Sequence, residues 1–197
     1  NIYIRMALSS IWKAMTAQIP DTVICKRKKF DLLGYEGEDD DEKLFDPSDY
    51  GFSPQALHTA CWRGYFCGYK ISGKLLYLDT LCINDGNDYY PSINGVEVSS
   101  EESGGPNYSN INLLIPYTGL MRIGADFHWE HYVHMGFQKP SAYGIVWDIE
   151  FSDGQIISMT DISEKLKDIK GKYHNEYLNR DIIERIDDSF KRDMELR

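Results

Sequence analysis

The feature that most constrains this fold is a pair of long apolar stretches separated by a tight-turn dipeptide. Residues 60–71 and 74–83 have the length and composition of strands, and Ser72-Gly73 between them is typical of a two-residue turn. Such a turn places Ile71 opposite Lys74. Because successive side chains of a strand point to opposite faces, the pattern predicts an antiparallel hairpin with one face on a core.

A second hairpin is predicted further along the chain. Residues 145–151 alternate strictly between two sets of positions, and Asp153-Gly154 follows as a turn signal before the chain returns over residues 155–159. The alternation predicts an inward face of Ile145, Trp147, Ile149 and Phe151 and an outward face of Val146, Asp148 and Glu150.

Shorter apolar runs predict further strands. Residues 23–25 and 30–33 flank a basic turn, and residues 111–115 and 120–125 are expected to pair around Thr118-Gly119. Strands and helices do not alternate along the sequence, which argues against a parallel sheet of βαβ units.

Helical spacing of apolar residues occurs towards both ends of the chain. Residues 7–18 predict a short helix that ends before Pro20, and residues 161–197 predict a charged helical element with one apolar stripe, which would also suit a homodimer contact. A length of 197 residues is typical of one domain. The expected fold is therefore a single α+β domain, residues 1–197, in which about nine strands form a mainly antiparallel β-sheet meander between a short N-terminal helix and a charged C-terminal helix.

The formal net charge of −10 is concentrated in the middle of the chain. Residues 31–160 hold 20 acids and six bases, whereas residues 1–30 carry a net charge of +5 and residues 161–197 a net charge of −1. A negative field repels nucleic acid and anionic membranes and attracts basic proteins. We therefore expect a basic protein partner, no nucleic-acid partner and no membrane contact.

The expected location is cytoplasmic. The sequence has no apolar run of about 18 residues that predicts a membrane span, and its first residues lack the apolar centre of a signal peptide. Because no secretory signal is predicted, the four cysteines are expected to be reduced thiols.

The acidic middle and its tyrosines favour a non-enzymatic binding protein. Tyr is typical of protein interfaces, and several of the 14 tyrosines are expected in loops: Tyr50, Tyr89, Tyr90, Tyr108, Tyr117 and Tyr143. An acidic, tyrosine-rich surface fits the basic cleft of a nuclease, so the leading hypothesis is an inhibitor of the immunity or antitoxin type without a cofactor. The candidate contacts are Glu38, Asp39, Asp40, Asp41, Glu42, Arg63, Tyr65, Asp85, Asp88, Tyr89, Tyr90, Glu101 and Glu102.

The alternative hypothesis is a metal-dependent hydrolase. Residues 126–134 hold three of the five histidines and two carboxylates, which are ligands of divalent transition metals. Their spacing matches no standard zinc pattern, and the chain contains no GxGxxG, Walker A or GxSxG motif. On this hypothesis the cofactor is a divalent metal and the ligand set is Asp126, His128, Glu130, His131 and His134.

Overall fold

The computed structural model describes residues 16–37, 43–99 and 105–169, together with Glu184 and Met194. These residues form one eight-stranded sheet and one short α-helix, α1 (Ser163–Lys167). The strands are β1 (Thr22–Cys25), β2 (Lys28–Gly37), β3 (Tyr65–Ser72), β4 (Leu75–Ile83), β5 (Asn107–Leu114), β6 (Gly119–Phe127), β7 (Tyr143–Ser152) and β8 (Gln155–Asp161). Single 3-10 turns occur at Pro47–Tyr50, Trp129–His131 and Pro140–Ala142.

The sheet closes on itself. Its pairings run in the order β3-β1-β2-β6-β7-β8-β4, and β4 pairs again with β3, so that seven strands form a ring to which β5 adds along β4. Every pairing is antiparallel except that of β1 with β3. The prediction of a mainly antiparallel sheet is confirmed. The meander order is wrong, because β1–β3, β2–β6 and β4–β8 join strands that are distant in sequence.

The first predicted hairpin forms with its turn shifted by one residue. Ser72 pairs with Leu75 and Ile71 with Leu76, so the turn residues are Gly73 and Lys74 rather than Ser72 and Gly73. Both turn residues have positive φ, +57° and +72°, as a tight turn matched to the sheet twist requires. The expected pairing of Ile71 with Lys74 is therefore wrong, although the hairpin itself is confirmed.

Residues 111–115 and 120–125 do not pair with each other. β5 lies along β4, whereas β6 lies between β2 and β7. Tyr117, which is buried, directs the connection between them, since its hydroxyl donates to the carbonyls of Glu36 (2.6 Å) and Leu120 (2.9 Å). Gly119 is the first residue of β6 and not a turn residue. A Cβ at this position would overlap the Glu36 carbonyl oxygen.

The interior of the ring is the main apolar core. Each fully buried Leu, Ile or Phe side chain contributes about 1.5–3 kcal/mol. All four cysteines are buried and form no disulfide, and burial raises the pKa of each thiol. The core includes Phe30, Leu32, Leu76, Leu78, Leu81, Ile83, Ile93, Ile111, Met121, Ile123, Ile149 and Phe151.

A second apolar layer covers the outside of the sheet at β7. Val146 was expected on the exposed face, but it is fully buried against Ile162 and Leu166 around α1. Asp148, also expected outside, is buried too, because the guanidinium of Arg122 donates to both of its carboxylate oxygens at 2.7 and 2.8 Å. Strict alternation therefore identified the inward face, but the outer face is also covered at Val146 and Asp148, whereas Glu150 is exposed as expected.

Only part of each predicted helix falls within the residues that the structure describes. Residues 7–15 lie outside the described ranges, and residues 16–18 are extended, with Ala17 bridged to Gly136. Asp161 is the last residue of β8 rather than the first of a helix, and its carboxylate accepts from the backbone N–H of Ser163 at 2.9 Å. Beyond Ile169, only Glu184 and Met194 of the predicted element 161–197 are described. No helix of the described residues is long and apolar enough to cross a membrane.

Candidate functional site

Two adjoining connections contain four of the six predicted partner contacts that the structure describes, all four of them in residues 84–99. They are residues 43–54, between β2 and β3, and residues 84–99, between β4 and β5, and together we call them the acidic loop pair. A bridge between Pro54 and Asp85 joins them, and the backbone N–H of Gly86 donates to the Ser53 carbonyl at 2.9 Å. The two loops therefore form one continuous surface.

The carboxylate of Asp85 holds the loops together. It accepts the backbone N–H groups of Ser53, Asn87 (2.9 Å) and Tyr89 (3.1 Å), and only 2% of the residue is exposed. Burial by itself raises the pKa of this carboxyl, but the three amides outweigh burial and the pKa lies below its usual value. Asp85 was predicted as a partner contact, yet its charge faces its own backbone.

The exposed part of the loop pair carries the remaining charge. Asp49, Asp88 and Glu97 are exposed, and Tyr89 has 58% of its surface exposed beside Gly51. Lys43 is the one base in the two described loops, and its Nζ contacts the Asp46 carboxylate at 2.6 Å. Of the predicted contacts within these loops, Asp88 and Tyr89 lie on the surface, while Tyr90 is half-buried against the core.

Seven of the predicted acidic contacts lie outside the described residues. They directly adjoin the loop pair in the sequence: residues 38–42 precede Lys43, and Glu101 and Glu102 follow Ser99 closely. Residues 38–54 hold seven acids and one base, and residues 84–104 hold five acids and no base. Their combined charge of −11 exceeds the net charge of −10 of the whole chain, so the rest of the sequence is almost neutral.

The tyrosines do not form the expected binding face. Tyr108 and Tyr143 lie in strands rather than loops, and both are buried, as is Tyr117. Among the described tyrosines only Tyr89 is largely exposed. The described tyrosines are therefore mostly buried or half-buried.

Arg63 and Tyr65 form an internal network rather than an open contact surface. The guanidinium of Arg63 pairs with Asp21, donates to the Tyr65 carbonyl at 2.6 Å and lies over the Tyr65 ring at 4.8 Å. Asp21 is buried and also accepts the backbone N–H of Cys67 at 2.5 Å. These contacts join the start of β1 to β3, where the two strands run parallel.

The predicted metal ligands do not gather into one group. Asp126 contacts Lys28 Nζ at 2.9 Å, and His128 Nδ1 lies 3.3 Å from Glu130 Oε1. The His134 ring packs edge-on against Tyr132 at 4.9 Å. In the described ranges no three His, Cys, Asp or Glu side chains are grouped so as to hold a metal ion. The hydrolase hypothesis stays a prediction.

The same segment instead builds an aromatic pocket of about 320 Å³ on the outer face of β2 and β6. Its lining residues are Ala17, Gln18, Ile19, Pro20, Asp31, Leu32, Leu33, Phe127, Trp129, Tyr132, Phe137, Gln138 and Tyr143. The Tyr143 hydroxyl donates to Asp31 Oδ2 at 2.9 Å. Burial raises the pKa of the Asp31 carboxyl, while the Tyr143 hydrogen bond and the charge of Lys29 act in the opposite direction.

Sequence reasoning missed this pocket. The density of aromatic residues between Phe127 and Tyr143 was a usable signal for such a pocket. No signal indicated Asp31, because its partner Tyr143 lies 112 residues away in the sequence. No protein-family model, curated protein or solved structure matches this chain.

Proposed function

We propose that this chain is a non-enzymatic binding protein that engages a basic protein partner through the acidic loop pair. The observation that carries the proposal is the concentration of charge. Residues 38–54 and 84–104 together have a net charge of −11, whereas the whole chain has a net charge of −10, and the described parts of the two segments adjoin each other. A negative surface of this kind raises the association rate of a positive partner by electrostatic steering.

The fixed shape of the described loops supports the same proposal. Asp85 ties Ser53, Asn87 and Tyr89 through backbone hydrogen bonds, which leaves Asp49 and Asp88 exposed on an ordered surface. A preorganised surface loses less conformational entropy when a partner binds. Tyr89 supplies an exposed aromatic ring next to these charges, and Tyr is a frequent anchor residue at interfaces.

The finer form of the proposal is an immunity or antitoxin type inhibitor that acts in the cytoplasm. A nuclease must carry a basic cleft because it holds phosphate groups, so an acidic protein surface can occupy that cleft in place of the substrate. The proposed contacts are Asp49, Asp88, Tyr89 and Glu97, together with the acids at 38–42, Glu101 and Glu102.

The test is a charge-matched pair of variants. The first, Asp49→Asn/Asp88→Asn/Glu97→Gln, removes three exposed charges from the loop pair. The control, Glu150→Gln/Glu164→Gln/Asp168→Asn, removes three exposed charges elsewhere. We expect the first variant to slow association with a purified basic partner by about tenfold at low ionic strength and the control to change it much less.

The partner is obtained by capture on the native chain at low salt and is then purified before the rates are measured. An equal effect of the two variants, or association that does not depend on ionic strength, contradicts the proposed surface. If the partner is a nuclease, addition of the native chain also inhibits cleavage, and a captured nuclease that stays fully active contradicts the inhibitor proposal.

A further inference from the structure

The aromatic pocket has an unusual lining for a surface cavity. Five of its described lining residues are aromatic, Asp31 is the single carboxyl among them, and they include no Lys, Arg or His. Trp129 has 76% of its surface exposed, which is far more than a ring that serves only to fill a core. The volume of about 320 Å³ lies within the range of small-molecule sites.

The Phe127 ring stands at a steep angle to three neighbouring rings, whereas the Trp129 and Tyr132 rings are inclined to each other by 41° (5.8 Å). The Phe127 ring is perpendicular to the Trp129 ring (5.3 Å, 90°) and to the Tyr132 ring (6.4 Å, 89°), and it meets the Tyr143 ring at 63°. A flat ligand stacks on parallel rings, whereas a wall of differently inclined rings surrounds a rounded group. The electron-rich face of an aromatic ring also attracts a cation.

The Asp31 carboxylate at the pocket can accept further hydrogen bonds and can pair with a positive charge. Tyr143 occupies Oδ2 of Asp31, and no other hydrogen bond to this carboxylate is present within the described ranges. Its raised pKa has burial as its main cause, which means that the negative charge lacks full compensation from the protein. A cation in the pocket supplies that compensation.

From the ring geometry and the lone carboxyl, we propose that the pocket binds a quaternary ammonium group. The methyl groups contact the faces of Trp129, Phe127 and Tyr132, and the Asp31 carboxylate balances the positive charge while Tyr143 holds it in place. Two sources share this chemistry: a free trimethylammonium compound and a trimethylated lysine side chain of a peptide.

The experiment is a titration of the full chain with choline, followed by tryptophan fluorescence and by calorimetry. The matched probe is 3,3-dimethylbutan-1-ol, which has the same shape as choline but no charge. We expect choline to bind at least about tenfold more tightly than the neutral probe. Equal binding of the two, or no binding of choline or of a trimethyl-lysine peptide, overturns the proposal.

Two variants and their controls locate the site. Trp129→Ala and Asp31→Asn should each weaken choline binding by about tenfold, since one removes an exposed ring and the other the countercharge. Trp62→Ala replaces another exposed Trp, and Asp126→Asn removes the charge of an exposed Asp, both outside the lining. Binding that the controls weaken as much as the pocket variants contradicts the assignment. If Asp31→Asn does not fold, Trp129→Ala decides alone.

A second titration separates the two sources. A peptide with trimethyl-lysine is compared with the same peptide carrying unmodified lysine and with choline. Tighter binding of the methylated peptide than of choline identifies a peptide ligand, and tighter binding of choline identifies a free small molecule. Preference for the unmodified lysine contradicts a quaternary ammonium site.

Discussion

Two carboxylates, Asp85 in the acidic loop pair and Asp31 in the aromatic pocket, are withdrawn from solvent in contrasting ways. Asp85 accepts three backbone N–H groups and its pKa falls below the usual value. Asp31 accepts one phenol hydroxyl and its pKa rises. A carboxylate whose hydrogen bonds are complete stabilises its own chain, whereas one that is only partly satisfied can gain from a ligand. The four predictions below test this contrast.

Asp85→Ala should give the largest effect. It removes three hydrogen bonds to a charged group and leaves three partly buried amides without their acceptor, so we expect a loss of about 3 kcal/mol in the free energy of unfolding. Asp49→Ala is the control, because Asp49 is exposed and its change should stay within about 0.5 kcal/mol. Urea denaturation measures both. A loss under about 1 kcal/mol at Asp85 would mean that it does not hold the loops together.

Tyr143→Phe should have an intermediate effect. The ring stays in the aromatic cluster, but Asp31 loses the hydroxyl that donates to it, so stability should fall by about 1 kcal/mol. The pKa of Asp31 should rise further, which carboxyl NMR measures. An unchanged pKa would show that the hydroxyl does not stabilise the charged form of Asp31.

The pH dependence of stability should have opposite signs for the two carboxyls. Asp85 has a lowered pKa in the folded state, so the stability it contributes is present above the ordinary value of 3.8 and is lost as the pH falls through its folded pKa. Asp31 has a raised pKa, so its folded state takes up a proton first and gains stability as the pH falls from the folded pKa towards 3.8.

Asn variants of both residues make this measurement direct. Relative to the native chain, Asp31→Asn should be the more stable at neutral pH by less than about 1 kcal/mol, and this advantage should shrink on acidification. Asp85→Asn should be less stable at neutral pH, and its deficit should shrink on acidification. If the stability of both variants relative to the native chain changed in the same direction with pH, the contrast between Asp31 and Asp85 would be contradicted.

Trp129→Ala should have the smallest effect on stability. With 76% of its surface exposed, Trp129 contributes little buried area, and its loss should change the free energy of unfolding by no more than about 0.5 kcal/mol. Phe127, which packs in the second apolar layer, offers the contrast, since Phe127→Ala should cost several times more. A large loss at Trp129 would make it a structural residue rather than a pocket wall available to a ligand.

The sequence predicted local hairpins better than distant partners. The alternation at 145–151 and the turn at Asp153-Gly154 correctly predicted β7 and β8, because both signals act within a few residues. The pairing of β2 with β6 and the parallel pairing of β1 with β3 depend on distant contacts. Periodicity reports which face of a strand is apolar, but it does not report which strand lies beside it.

In the candidate sites, too, the sequence predicted local features but not the contacts between distant residues. The acidic composition of 38–54 and 84–104 is visible in the sequence, and the structure adds that their described parts adjoin. The sequence could not distinguish Asp85 from Asp88, three residues apart, because only the fold decides which carboxylate meets backbone amides. Asp31 and Tyr143 carried no joint signal, since the folded sheet alone brings them to 2.9 Å.

Closure of the sheet also affects how copies of this chain meet. Unpaired strand edges are templates for intermolecular strand addition, and a ring of strands has few of them. In the described part of the chain β5 forms one long outer edge, where Asn110 and Asn112 have φ of +61° and +52° and interrupt the extended backbone. The other outer edge belongs to β8, which pairs with β4 only at Gln155. The side-chain amide of Asn94 also donates a hydrogen bond to the Ile111 carbonyl of β5 at 2.8 Å. The β5 edge therefore offers a poor template for edge-to-edge aggregation.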